Sequence, residues 1–438
     1  MKPYASYKPS GVAWLGDVPA HWRIEKVKFQ ARLRGDKAVG ANGVRYVGME
    51  HVLPKVGKFN PVVEGTQEEA ESTVNVFFKG DVLFGKLRPY LAKCVVADTD
   101  GVCSSEFLVL SPSDEVVPAY LNATMLMQEF IDAVDASTYG AKMPRADWGF
   151  IGQQRLPLPP PDEQQAIADY LDTETARIDT LVQEKEELIG LLKEARSATI
   201  TEAVSRGLCP SVPLKSSGLH FLGNVPKHWK KFKVAHAFGT SSGTTPPTDE
   251  PKWYEGDVPW VQSSELRENV VFSTEKKVTV EAVQKFSALK IYPAGTLLLA
   301  MYGATIGRVG LLGVPATTNQ ACCALHPLGE ISTQFFCWWL QAYRDELVAR
   351  GYGGGQPNIS ATLISGMYFF APLPEEQQAI AEYLDDETAK IDALITHTQE
   401  EIALLKELRA ATIADAVLGR VDVRTTVTKG VRRAENEL

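Results

Sequence analysis

The sequence predicts a mixed α/β (α+β) fold in which two similar globular domains are separated and joined by two long antiparallel helices, giving a pseudo-twofold internal repeat. Residues 162–181 and 375–394 are identical at 15 of 20 positions at an offset of 213. Residues 10–22 and 217–229 are identical at 8 of 13 positions at an offset of 207. The regions between these repeats resemble each other only in scattered positions. Similar frames around divergent inserts predict two copies of one scaffold with different surfaces.

The repeats divide the chain into five predicted segments. They are a variable domain over 1–158, a long helix over 159–207, a second variable domain over 208–371, a second long helix over 372–420 and a tail over 421–438. A chain of 438 residues exceeds one ordinary core, which favours two units. No apolar run reaches the length of a transmembrane helix, and the polar start does not resemble a signal peptide. We therefore expect a cytoplasmic location.

The two repeated segments are predicted to form helices, because each follows a proline-rich stop and then continues without proline. Their apolar positions recur at alternating spacings of three and four, which is typical of helices that pair as a coiled coil. The predicted seam comprises Ile178, Leu181, Lys185, Leu188, Leu192, Ala195 and Thr199 in the first helix, and Ile391, Leu394, Thr398, Ile402, Leu405, Leu408 and Thr412 in the second. The alternative is that each helix packs only on its own domain.

Each variable domain is predicted to contain the same elements in the same order: a hairpin, a helical stretch, and a Gly-rich loop that runs into an apolar strand. The hairpins are expected at 79–98 and 293–313, the helical stretches at 118–134 and 332–350, and the loops with their strands at 138–151 and 351–364. Pro144 and Pro357 keep the offset of 213. The scaffold therefore recurs where the side chains differ.

The net charge of −9 is unevenly distributed. Segment 160–206 has 11 acidic and 5 basic residues, and segment 374–420 has 11 acidic and 4 basic residues, so the remainder of the chain carries +4. The acidic sign of the whole chain consequently does not exclude DNA, provided that DNA contacts the variable domains.

The six cysteines show neither CxxC nor zinc-ligand spacing with the histidines. We expect reduced thiols, most of them buried, and no metal site. In the apolar run around Cys322 and Cys323, strand geometry would direct these neighbours to opposite faces.

Motifs for catalysis are missing or incomplete. The segment Gly80–Lys86 fits the phosphate-binding loop of NTPases, but Leu87 stands where Ser or Thr would hold Mg²⁺. Neither an F-x-G-x-G cofactor loop nor an N-P-P-[FYW] motif of DNA methyltransferases is present. His21 and His228 lie in a repeated VPxHW segment that we interpret as a structural corner, with the tryptophans packed in the core. The chain is therefore expected to bind rather than catalyse.

Taken together, the repeated SG-x-x-x-LG-x-VPxHW segment, the variable domains and the repeated EQQAIA helices resemble the specificity subunit of type I restriction–modification systems, which serve in phage defence. The resemblance extends from about residue 7 to 424. It implies that each target-recognition domain contacts one half of an asymmetric, bipartite double-stranded DNA sequence. It also implies that the helices set the spacing and dock two modification (methyltransferase) subunits, with restriction (translocase/nuclease) subunits in the full complex. Cofactors would then bind the partners (S-adenosylmethionine, ATP and Mg²⁺), and none would bind this chain.

Candidate DNA contacts follow from side-chain chemistry, since Arg and Lys suit phosphates or guanine, and Gln and Asn suit adenine. In the first domain they are Lys86, Arg88, Tyr90, Lys93, Lys142 and Arg145. In the second domain they are Gln262, Ser263, Ser264, Tyr302, Thr305, Arg308, Gln356 and Asn358. Lys93 and Arg308 are predicted to share one scaffold position and to clamp phosphates. Ordinary surface positions, loop caps or, for the tyrosines, packing are the alternatives.

The docking site for the partner subunits is predicted at the start of each helix. Its candidate residues are Glu163, Gln164 and Gln165, with Glu376, Gln377 and Gln378 in the second copy. A solvated acidic surface is the simpler alternative. For the chain as a whole, the competing hypothesis is a non-catalytic adaptor whose helices assemble proteins while its variable domains bind a ligand other than DNA.

Overall fold

A computed structural model describes residues 2–40, 43–61, 73–140, 142–352 and 358–424. The chain divides into two compact units. Unit 1 comprises residues 1–186 and 399–438, and unit 2 comprises residues 187–398. Each unit therefore contains one variable domain and part of both long helices. Within the described ranges, no helix is long and apolar enough to cross a membrane.

Unit 1 contains twelve described strands, with helices between and after them. The strands are β1 (Tyr7–Pro9), β2 (Asp17–Pro19), β3 (Arg23–Lys26), β4 (Ala31–Leu33), β5 (Lys37–Val39), β6 (Tyr46–Val47), β7 (Thr73–Phe77), β8 (Val82–Gly85), β9 (Cys94–Val96), β10 (Gly101–Cys103), β11 (Phe107–Pro112) and β12 (Arg155–Leu158). The helices are α1 (Val27–Gln30), α2 (Pro118–Met125), α3 (Gln128–Ala136), α4 (Trp148–Ile151) and the first part of α5 (Pro161–Arg206).

Unit 2 repeats this order with additions in its middle. Its strands are β13 (Leu214–Ser216), β14 (Asn224–Pro226), β15 (Lys230–Lys233), β16 (Phe238–Ser242), β17 (Val258–Val261), β18 (Asn269–Val271), β19 (Lys277–Val278), β20 (Leu297–Ala300), β21 (Val309–Leu312), β22 (Thr317–Thr318), β23 (Cys322–Pro327) and β24 (Tyr368–Ala371). Its helices are α6 (Val234–Ala237), α7 (Val280–Lys285), α8 (Thr333–Ala342), α9 (Arg344–Ala349), α10 (Ala361–Gly366) and the first part of α11 (Pro374–Val417).

The main sheets of the two units have matching topology. In unit 1 the order is β4-β11-β8-β9, and in unit 2 it is β16-β23-β20-β21, extended by β18. Both central hairpins are antiparallel, and their strands are almost fully buried because apolar residues face the core on both sides. The predicted hairpins and helical stretches are confirmed.

The segment after each Gly-rich loop differs from its prediction. Instead of an apolar strand it forms a short helix, α4 or α10, and the strands β12 and β24 come later. The cause is N-capping: the Asp147 carboxylate accepts a hydrogen bond from Gly149 N (2.7 Å), and the Ser360 hydroxyl accepts one from Leu363 N (3.1 Å).

The cysteines lie where the sequence analysis predicts them. Cys322 and Cys323 on β23 belong to different hydrophobic clusters, as alternating strand geometry predicts. All six cysteines are free thiols, and only Cys209 is exposed. Burial raises the pKa of Cys323 to about 12, so it stays protonated.

Both long helices begin with proline and acidic residues in the first turn, and both end near a glycine. Pro161 and Pro374 occupy the start, where a missing N–H costs nothing. Gly207 and Gly419 have positive φ values of 75° and 68°, which end a helix readily. Glycine is needed at 419 also because a Cβ there would lie 2.5 Å from Pro19. The predicted helix boundaries are accurate to within about three residues.

In unit 1 the two helix segments run antiparallel. In unit 1, Lys185 Nζ donates to Glu401 (2.5 Å), and Arg409 Nε donates to Asp179 (2.8 Å). In unit 2, Arg196 Nε donates to an oxygen of Asp392, 2.9 Å away. Increasing residue numbers on one helix thus meet decreasing numbers on the other, which confirms the predicted antiparallel pairing.

The buried seam is partly shifted by one residue from its prediction. The positions 178, 185, 192 and 199 lie inward, but Leu181 and Leu188 are exposed, and their neighbours Val182 and Ile189 are packed instead. In α11, Leu394 and Leu408 are likewise exposed. At 181 and 182, at 188 and 189, and at 394 and 395 both neighbours are apolar, so the geometry of the partner helix decides which of them is buried. This explanation does not extend to Leu408, whose neighbours are charged.

In each unit the VPxHW corner contacts the first turn of a long helix, α5 in unit 1 and α11 in unit 2. Trp22 and Trp229 are buried, as predicted. His21 Nε2 and Glu163 Oε2 lie 2.8 Å apart, and His228 Nε2 and Glu376 Oε2 are separated by the same distance. This repeated motif therefore has a structural role in both copies.

Candidate nucleic-acid interface

Lys93 and Arg308 occupy the same place on the two central hairpins. The carbonyl of Lys93 accepts a hydrogen bond from Gly85 N (2.8 Å), and the carbonyl of Arg308 accepts one from Ala300 N (2.8 Å). Both pairs are related by an offset of 215, which also separates Gly80 and Gly295 at the start of the two hairpins. The predicted equivalence of these positions is confirmed, while their contact with phosphate stays a prediction.

The two cations have different surroundings. Lys93 Nζ donates to the carbonyl of Met49 at 2.5 Å, and burial lowers the pKa of this ammonium group. Arg308 is half-buried, and its Nε finds no hydrogen-bond partner among the described residues. Because this Nε is also buried from solvent, an anion could reach it only after the Arg308 side chain moves, just as Lys93 would have to leave its carbonyl first.

The tip of the unit 1 hairpin is held in an uncommon conformation. Arg88 and Ala92 have positive φ values of 50° and 46°, which non-glycine residues seldom adopt. Arg88 N donates to the carbonyl of Pro144 (2.8 Å), which fixes the tip against the Gly-rich loop. Arg88 and Tyr90 are exposed, so the fixed backbone presents a guanidinium group and a phenol to solvent.

The Gly-rich loop of unit 1 lies along the same hairpin. Ala146 N donates to the carbonyl of Lys86 (2.9 Å), so Lys86, which is half-buried, and Lys142, which is exposed, belong to one surface. Arg145 instead pairs with Glu106, and its Nη2 lies 2.8 Å from a carboxylate oxygen. This ion pair lowers the pKa of Glu106 and occupies the guanidinium group.

In unit 2 the corresponding loop uses the same backbone contacts. Ile359 N donates to the carbonyl of Met301 (2.8 Å), the equivalent of the contact between residues 146 and 86. Tyr302, the residue after Met301, is half-buried, and burial raises the pKa of its hydroxyl. Asn358 is exposed, whereas Gln356 lies outside the described residues.

The remaining candidates of unit 2 lie beside two turns. Gln262 precedes a short 3₁₀ turn, and its N–H donates to the carboxylate of Glu265 (2.8 Å). Ser263 is half-buried and Ser264 is exposed. Thr305 is half-buried in the turn before Arg308, whose N–H donates to the Thr305 carbonyl (2.9 Å). These polar side chains are accessible and differ from those at the matching places of unit 1.

Several residues of this surface were missed from the sequence. Tyr139 and Tyr352 are strongly exposed at the start of the two Gly-rich loops. Arg344 donates to the carbonyl of Ile306 (2.9 Å) and thereby fixes the turn of unit 2. The repeated Tyr-Gly-x-x-x-Pro pattern was the available signal for the tyrosines; nothing in the sequence indicates the backbone contact of Arg344.

The predicted docking residues at the helix starts require a correction. Gln164 is buried and donates to the carbonyls of Glu115 (2.9 Å) and Pro159 (2.8 Å). Gln377 is buried too, and donates to a backbone carbonyl within its own unit. Glu163 is 2% exposed. These three side chains cannot contact a partner directly, because all three are buried within their own unit.

The other half of the predicted docking set remains on the surface. Gln165 and Gln378 are exposed, and Glu376 is half-buried while it accepts a hydrogen bond from Trp229 Nε1 (3.1 Å). Their contact with a partner stays a prediction.

A second exposed feature lies further along the helices, and we call it the leucine stripe. In unit 1 it consists of Leu181, Leu404 and Leu408, and in unit 2 of Leu188, Leu191 and Leu394. Leu181 corresponds to Leu394, and Leu191 to Leu404, by the offset of 213. Leu191 and Leu404 are each 63% exposed. Apolar side chains that recur at equivalent exposed positions are typical of interaction surfaces.

Comparisons with known proteins agree with this architecture. The family described as type I restriction modification DNA specificity domain matches residues 41–189 and 226–404. The type I restriction enzyme MjaIX specificity subunit of Methanocaldococcus jannaschii is 28% identical over 192 residues, which span 43% of this chain and 43% of that relative. The MjaVIII specificity subunit of the same organism is 22% identical over 335 residues, covering 74% of this chain and 75% of that relative.

A solved structure shows the same fold. It concerns complex assembly and conformational transition of the type I R-M system, and it matches with a TM-score of 0.76 at 18% identity, covering 92% of this chain and 99% of that chain. The family match covers most of the sequence. The chain belongs to the type I restriction modification DNA specificity family.

Membership in the specificity family accounts for the internal repeat. The two matched stretches each contain one variable domain with part of the long helix that follows it. Across the described ranges of this specificity-family chain, no group of three or more His, Cys, Asp or Glu residues could hold a metal ion.

Proposed function

We propose that this chain is the non-catalytic, sequence-recognising subunit of a type I restriction–modification complex. Each unit would contact one half of an asymmetric, bipartite DNA target. The observation that carries the proposal is the repeated backbone frame: Lys86 and Met301 accept equivalent hydrogen bonds from the loops that follow. Around that frame the two units present different side chains, as two different half-sites require.

Charge supports contact between DNA and the variable domains. The two long acidic segments would repel phosphates, while the rest of the chain is net positive at +4. Exposed Arg88 and Lys142 in unit 1, and half-buried Arg308 in unit 2, supply positive charge to the recognition surfaces. The adaptor hypothesis with a ligand other than DNA is not favoured, because the matching family is named for DNA specificity.

The same proposal assigns partner docking to the leucine stripes. Leu181 and Leu404 in unit 1 correspond to Leu394 and Leu191 in unit 2, so two identical modification subunits could bind one chain. The antiparallel helices would thereby fix the spacing between the two half-sites. Restriction subunits would join the full complex through these partners, in the cytoplasm where genomic DNA lies.

Catalytic chemistry is assigned to the partners. Methyl transfer from S-adenosylmethionine, and ATP- and Mg²⁺-dependent cleavage, would take place in the modification and restriction subunits. The support is that the sequence lacks the F-x-G-x-G and N-P-P-[FYW] motifs of DNA methyltransferases and a complete phosphate-binding loop.

The test uses the full chain together with its modification subunits. Genomic methylation mapping supplies the target, and gel mobility shift then compares a duplex with this target, a scrambled duplex, and duplexes in which only one half is scrambled. We expect tight binding to the intact target and weaker binding when either half is changed. Equal retention of the target and the scrambled duplex would contradict the proposal.

A further inference from the structure

Tyr139 and Tyr352 begin the same short pattern in domains that otherwise diverge. Residues 139–144 read Tyr-Gly-Ala-Lys-Met-Pro, and residues 352–357 read Tyr-Gly-Gly-Gly-Gln-Pro. The tyrosine, the glycine and the proline are retained at the offset of 213, while the three residues between them differ. A constraint common to both copies therefore acts on the tyrosines and not on the residues at the centre of the pattern.

The backbone of both tyrosines is fixed in the same way. Tyr139 N donates to the carbonyl of Arg145 (3.2 Å), and Arg145 N donates back (3.1 Å). Tyr352 and Asn358 form the equivalent reciprocal pair at 2.9 and 2.8 Å. These bridges hold the base of the loop next to the hairpin surface.

Neither phenol ring contributes much to the core. Tyr139 is 63% exposed and Tyr352 is 74% exposed. Their hydroxyl groups have no hydrogen-bond partner among the described residues, although both rings are anchored through their backbone. Folding stability thus gives little reason to keep a tyrosine at both positions, and a rigid backbone with an unused hydroxyl suits an external acceptor.

The phosphate backbone is chemically the same in both half-sites, whereas the bases differ between them. We propose that Tyr139 and Tyr352 are equivalent, sequence-independent DNA contacts, each donating a hydrogen bond from its hydroxyl to a phosphate of its own half-site. Tyrosine is among the side chains that contact phosphates in this way. This inference rests on the proposed DNA-binding function.

The test substitutes Tyr139→Phe and Tyr352→Phe, alone and together, in the full chain assembled with its modification subunits. Phenylalanine retains the ring and removes the hydroxyl. Each change should weaken binding of target and scrambled duplexes by the same factor, about 10-fold to 150-fold, as expected for loss of a hydrogen bond to a charged acceptor. The double change should multiply the two factors, because the tyrosines lie in separate units.

Salt dependence separates this contact from a cationic one. Tyrosine is neutral, so the slope of log K against log salt should be unchanged in both variants, whereas Lys142→Ala should reduce its magnitude by about 0.9. Thermal unfolding of each variant should match the wild type, since no described residue forms a hydrogen bond with either hydroxyl.

Three results would overturn the inference. The first is unchanged binding of both duplexes by the variants. The second is a loss of binding confined to the target duplex, because this would indicate base recognition. The third is a smaller slope of log K against log salt in the variants. Failure of the proposed function is recognised separately, because the wild-type complex would then fail to distinguish the target from the scrambled duplex before any tyrosine is changed.

Discussion

The leucine stripe and the buried helix seam give opposite predictions for residues that are neighbours on one helix. Ile402 is 8% exposed, and Leu404, two residues later, is 63% exposed. Ile402→Ala should lower the free energy of unfolding by about 2–4 kcal/mol, because it removes buried methyl groups from the helix pair. Leu404→Ala should change it by less than about 0.5 kcal/mol, because most of that side chain already lies in water.

For partner binding the expected effect of Leu404 follows from its exposed fraction. Complete burial of a leucine contributes about 1.5–3 kcal/mol, so covering the 63% that is exposed contributes about 1–2 kcal/mol. Leu404→Ala should therefore raise the Kd of one modification subunit about fivefold to thirtyfold. Leu191→Ala, at the equivalent position in unit 2, should weaken binding of the second subunit to a similar extent.

Urea unfolding followed by circular dichroism measures stability, and native mass spectrometry during titration measures the number of bound subunits. Each single leucine variant should retain one subunit at wild-type affinity, and the double variant should weaken both. The helix assignment would be refuted if Leu404→Ala destabilised the chain as much as Ile402→Ala. Normal binding of two subunits by the double leucine variant would refute docking on the stripes.

Three further predictions concern the helix start, acid stability and DNA binding. Gln164→Ala should lower the free energy of unfolding by about 2–4 kcal/mol because it leaves buried backbone groups unpaired, whereas the exposed control Gln165→Ala should stay within about 0.5 kcal/mol in the same urea assay. The depressed pKa of Glu106 means that its ion pair stabilises the fold at neutral pH and that this contribution is lost as pH falls through the folded-state value. Glu106→Gln should therefore flatten the acid limb of a pH–stability curve, and an unchanged limb would contradict the role of the pair. Lys93→Ala and Arg308→Ala should weaken binding to all duplexes and reduce its salt dependence, and altered base preference at constant general affinity would contradict their assignment as phosphate contacts.

The repeat made the architecture predictable. Two offsets of 213 and 207 indicated two scaffolds, and the prolines and glycines at the helix ends gave the boundaries of α5 and α11 closely. The shared position of Lys93 and Arg308 could be predicted because register within a hairpin is preserved when both strands keep their lengths. Local chemistry and internal repetition were sufficient for these features.

Tertiary contacts decided the features that were predicted wrongly. Leu181 and Val182 are both apolar, so only the partner helix determines which of them is buried. The sequence predicted Gln164 as an exposed helix residue, but it is buried and forms hydrogen bonds with backbone groups of its own domain. The pairing of Arg145 with Glu106, 39 residues away, could not be read from sequence spacing, while the contact of Arg145 with DNA stays a prediction.

Mapping DNA methylation in cells that contain the modification subunits, with and without this chain, tests the central claim most directly. We predict methylation at a target of two different short half-sites separated by a fixed non-specific spacer, and its loss when the gene is removed. Exchanging the unit 1 variable domain for that of another specificity-family chain should change one half-site and leave the other unchanged. Methylation that is independent of the chain, or an exchange that alters both half-sites together, would contradict the assignment of one half-site to each unit.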